Sequence, residues 1–63
     1  MEVEKRMEFY KSQIKHVYSV QGKDDAHKYN IGYIFGLYDG RAIGTFETTD
    51  LLCMNDFLKR GGN

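Results

Sequence analysis

With 63 residues, nine Lys/Arg against nine Asp/Glu, one cysteine and no proline, the chain is one small domain of zero formal charge. So short a chain buries only about 60% of its unfolded surface, and it needs a staple. The single Cys53 excludes an internal disulfide and fits a reducing, cytoplasmic setting. The balanced charge argues against a domain devoted to nucleic acid, where a basic excess is usual.

The N-terminal stretch MEVEKRMEFYK is too charged for a signal peptide. The longest uncharged run, Tyr29 to Tyr38, has ten residues, about half of what a membrane-spanning helix needs. No membrane partner is expected.

Residues 2–19 read as an amphipathic helix. Val3, Met7, Tyr10, Ile14 and Val17 recur at steps of four, three, four and three, one apolar stripe at helical period. Glu2–Arg6 and Glu8–Lys11 are spaced to pair on the wet side. The end of this helix is open, since Val17 to Val20 also suits a strand. Residues 21–28, QGKDDAHK, are polar and without period, and read as a loop.

From there the period becomes two. Ile31, Tyr33, Phe35 and Leu37 alternate with Gly32, Ile34, Gly36 and Tyr38, the pattern of a strand with one apolar face. Asp39-Gly40 suits a two-residue hairpin turn, and residues 41–48 supply the return strand. A helix over 25–38 is the alternative. It places Gly32 and Gly36 in a helix interior at roughly 1 kcal/mol each against alanine, so the hairpin is preferred. Thr48-Thr49-Asp50 then opens a second helix with an N-cap threonine and an early acid. Leu51, Met54, Phe57 and Leu58 form its apolar face, and Gly61-Gly62 end it. The expected fold is α+β, helix-strand-strand-helix over residues 1–63, with the hairpin packed on two helices and paired into a larger sheet in a homodimer.

No catalytic constellation emerges, and no enzyme, cofactor or metal is expected. Asp24, Asp25 and His27 lie close together but match no recognised ligand spacing. His16 falls on the flank of the first helix, and Cys53 beside a core stripe. The glycines do not lie between a strand and a helix N-terminus, so they make no phosphate loop. What remains is surplus apolar surface. The second hairpin face, with Ile34, Tyr38, Ile43 and Thr45, and the off-stripe Phe9 are the expected binding residues. They would form either the dimer seam or the contact with a larger protein. The expected function is a non-enzymatic protein-binding module, an accessory or inhibitor protein in the style of those made by bacteriophages and mobile elements. The alternative is a small nucleic-acid-binding module using Lys5, Lys11 and Lys15 of the first helix, with tyrosines as stacking surfaces.

Overall fold

The apolar stripe of the N-terminal segment does form one face of a helix. In the computed structural model, which describes residues 3–61, α1 runs Val3–Val20. It buries Ile14 and Val17 and packs Met7 and Tyr10 against the core. The segment Val17 to Val20 is its last turn. Glu2, the expected partner of Arg6, lies outside the described residues.

The expected hairpin is corrected. No strand is present among the described residues, and two further helices follow: α2 (Lys23–Asp39) and α3 (Thr45–Lys59). The fold is a three-helix bundle. α2 takes in six residues of the stretch read as a loop and all of the first expected strand, leaving only Gln21 and Gly22 as the connection from α1. The return strand is divided between the residues that follow α2 and the first turn of α3, which opens at Thr45 rather than Thr48.

The reason lies in two overlapping periods. Ile31, Tyr33, Phe35 and Leu37 alternate, but Ala26, Asn30, Ile34 and Leu37 recur at helical steps. The second set wins. Ala26, Asn30 and Ile34 are completely buried and Leu37 packs on the core. A helix satisfies its backbone internally, whereas a lone two-stranded hairpin keeps two open edges. Burying Ile34 alone contributes about 1.5–3 kcal/mol, which offsets the cost of two interior glycines.

Asp39-Gly40 is a helix end. Arg41 N–H donates to the Tyr38 carbonyl at 3.0 Å and Ala42 N–H to the Leu37 carbonyl at 2.9 Å, the paired bonds of a Schellman motif. The left-handed residue it requires is Arg41, at φ 62°, while Gly40 has an ordinary φ of −77°. The end of α3 repeats the design with glycine in the left-handed place, Gly61 at φ 94°; the expected Gly62 stop lies outside the described residues. At the start of α3 the Glu47 carboxylate accepts the Gly44 N–H at 2.8 Å, half of a capping box.

Ile14, Ile34, Ile43 and Leu51 make the apolar centre. Ile43 reaches it from the α2–α3 connection and closes one end of the bundle. The other end is held by polar groups. Asn30 Nδ2 donates to the Ile14 carbonyl on α1 and to Asn55 Oδ1 on α3, each at 3.2 Å. Asn55 Nδ2 donates to the His27 carbonyl on α2 at 3.1 Å. The Tyr18 hydroxyl on α1 is shared between the carbonyl and side-chain oxygens of Asn55, at 2.8 and 2.9 Å. Each helix is therefore tied to the other two, which fixes their register. Asn30 Oδ1 is buried with no partner among the described residues. None of the helices is long and apolar enough to cross a membrane.

Candidate docking face between α1 and α2

The core is filled by aliphatic residues and asparagines, and this displaces the rings outward. The buried apolar residues are Ile14, Val17, Ala26, Ile34, Ile43 and Leu51. None of the four phenylalanines and five tyrosines is buried. All four phenylalanines are exposed, from 46% at Phe35 to 85% at Phe46. Phenylalanine is ordinarily among the buried residue types, and each exposed ring forgoes much of the 1.5–3 kcal/mol that burial supplies.

Four of these rings gather where α1 meets α2. Phe9 stands edge-on to Tyr10 at 6.1 Å between ring centres, and Tyr10 edge-on to Tyr33 at 6.5 Å. Such pairs contribute about 0.5–1.5 kcal/mol beyond area, so the row is fixed in orientation. Tyr33 then lines a groove with Tyr29, Val20, Gln13 and His16. At the opposite end, Lys5 and Arg6 flank Phe9 and Tyr10 around an apolar hollow. Burial raises the Tyr33 hydroxyl above its ordinary pKa, and the phenols of Tyr10 and Tyr29 add to the effect. The Tyr33 hydroxyl therefore stays protonated at neutral pH, and its ring is presented as a neutral amphipathic surface.

The residues expected to bind do not come together. Ile34 is completely buried and Ile43 is 8% exposed; both are core residues, because the hairpin face that would have carried them does not exist. Tyr38 is exposed in the last turn of α2. Thr45 is the exposed first residue of α3, its carbonyl accepting from the Thr49 hydroxyl at 3.1 Å. Phe9 alone belongs to the aromatic row. Tyr10 and Tyr33, expected in the core, are half-buried at its edge.

The other candidates have structural partners or none. His27 Nε2 lies 2.7 Å from Asp56 Oδ1, and Asp24 lies 3.9 Å from Lys59, so two residues of the expected loop fasten α2 to α3. Among the described residues no group of three His, Cys, Asp or Glu could hold a metal ion. Cys53 is free and exposed. The three lysines of the nucleic-acid alternative divide between two faces. Lys5 is beside Phe9, whereas Lys11 and Lys15 line a groove toward α3 with Asp50. Glu4, Glu8 and Glu47 border that second face.

The polar knot of Asn30, Asn55 and Tyr18 went unseen in the sequence. Its signal is an asparagine at a core step of α2 and another at a core step of α3, Ala26-Asn30-Ile34 and Leu51-Asn55, legible only once α2 is read as helical. No protein-family model, curated protein or solved structure matches this chain.

Proposed function

We propose that the chain is a non-enzymatic protein-binding module that docks on a larger protein through the α1–α2 aromatic row. The observation that carries this reading is the outward placement of every phenylalanine, with Phe9 and Tyr29 exposed beside the half-buried rings of Tyr10 and Tyr33. Tyrosine and phenylalanine give large, rigid contact area at low entropic cost, and such anchors dominate protein interfaces. Phe9 (57% exposed) and Tyr29 (57% exposed) are the anchors. Lys5 and Arg6 form the polar rim, where charges set orientation and on-rate more than affinity.

The test is an affinity capture from lysate split with and without nuclease, using the wild type, a Phe9→Ala/Tyr29→Ala pair, and Phe46→Ala as a control off the row. All three substituted residues are exposed, so the fold is preserved. A protein retained by the wild type and by Phe46→Ala, and lost with the double variant, supports the reading. Recovery that vanishes with nuclease moves the function to nucleic acid. Equal recovery by all three chains removes the row from consideration.

A further inference from the structure

The side of α2 turned away from the core carries Lys28, Gly32, Phe35, Gly36 and Asp39, all exposed. They recur at steps of three and four, so they share one outer face. A Cβ built at Gly32 or Gly36 meets nothing within 4 Å. No packing inside the chain therefore calls for glycine at either place, although each weakens the helix. Phe35, 46% exposed, projects beside the gap that these glycines leave. Lys28 and Asp39 stand at either end of the face, and neither forms an ion pair among the described residues.

We propose that this face binds a second copy of the chain, with the two α2 helices antiparallel about a two-fold axis. The argument is self-complementarity in shape and charge at one register. Antiparallel pairing that sets Phe35 of each copy over Gly32 of the other also sets Lys28 of each copy opposite Asp39 of the other. Symmetry makes both contacts twice. The ring fills the gap, as a ridge fills a groove between packed helices. Parallel pairing fails on charge, because it brings Lys28 to Lys28 and Asp39 to Asp39. A single helix crossing stays at the small end of protein interfaces, below about 1,200 Å² in total, so the dimer depends on concentration. The aromatic row at α1–α2 lies on the flank of α2, and the dimer leaves Phe9 open for a partner.

Sedimentation velocity on the full chain from about 10 µM to about 1 mM, the range in which so small an interface associates, reads the equilibrium directly. The wild type is expected to show a monomer–dimer equilibrium. Lys28→Asp and Asp39→Lys should each weaken it about ten-fold, by replacing two exposed attractions with two repulsions. The double exchange Lys28→Asp/Asp39→Lys should restore it. Gly32→Leu should abolish dimerisation while helicity by circular dichroism is kept, since its side chain enters open space in the monomer. A wild type that stays monomeric throughout overturns the proposal. So does a dimer that Lys28→Asp and Gly32→Leu leave unchanged, or a double exchange that fails to recover association.

Discussion

Tyr18 holds a proton for the whole bundle. Its hydroxyl links α1 to Asn55, and burial raises its pKa above 10.0, with the negative charge of Asp56 adding to the shift. The folded chain therefore keeps this proton at a pH where the unfolded chain has begun to lose it. Its contribution to stability is complete below pH 10 and is lost as pH rises through the folded value. Tyr33 acts in the same direction. We expect the urea midpoint to fall on the alkaline side and Tyr18→Phe to flatten that fall. The same substitution should cost about 1 kcal/mol at neutral pH, the net worth of an ordinary hydrogen bond, with more if Asn55 is left unsatisfied. An alkaline limb as steep in Tyr18→Phe as in the wild type would show that the proton is held elsewhere.

At the scale of the element, the two helix ends make a natural comparison. α3 places glycine at its left-handed residue, Gly61, and α2 places Arg41 there. For a residue with a Cβ that conformation costs roughly 1–2 kcal/mol, part of which glycine returns as unfolded-state entropy. Arg41→Gly is therefore expected to stabilise the fold by about 0.5–1 kcal/mol, raising the thermal midpoint by several degrees in a chain of this size. An unchanged or lowered midpoint would mean that the arginine side chain contributes more than its backbone costs.

The same element shows what the sequence could and could not reveal. α1 was legible because its core positions are all apolar, so the helical period stands out. The lower half of α3 was legible for the same reason, although Phe57, expected on its inner face, is 49% exposed. α2 was hidden because one of its innermost positions is an asparagine, which reads as polar until its partners on α1 and α3 are known. The outer face of the helix then supplied part of the misleading alternation, with Phe35 read onto the core face of a strand and Gly32 and Gly36 onto its opposite face. Asp39-Gly40 completed the error: the dipeptide of a hairpin turn also suits the last turn of a helix, and only the hydrogen bonds from Arg41 and Ala42 tell them apart. Of the expected contact residues, Phe9 breaks the α1 stripe and is exposed, as its position off the stripe implies. Ile34 and Ile43 were misplaced with the hairpin.

For the whole molecule, Ile34 and Ile43, expected on a contact face, are buried, while Phe35 and Phe57, expected to face inward, are exposed. Ile34 belongs to stability. It is completely buried in a four-residue centre, and Ile34→Ala should cost about 2–4 kcal/mol, a large part of the stability of so small a domain. Chemical denaturation measures it directly. A cost below about 1 kcal/mol, in the range of ordinary surface changes, would place the centre of the bundle elsewhere. The exposed phenylalanines, by contrast, can be altered with little effect on folding, whereas Tyr10, Tyr18 and Tyr33 pack against the core.

The short connections carry a consequence for how fast this structure is reached. α1 and α2 are joined by Gln21-Gly22 alone, and α2 and α3 by five residues, so each helix packs on its neighbour in the chain after a small loop closure. Helical chains dominated by local contacts refold in microseconds to milliseconds. There is no proline to isomerise and no second cysteine to mispair, the two usual sources of slow phases. A newly made chain can therefore withdraw its core from solvent almost as soon as α3 is complete, leaving the four phenylalanines outside.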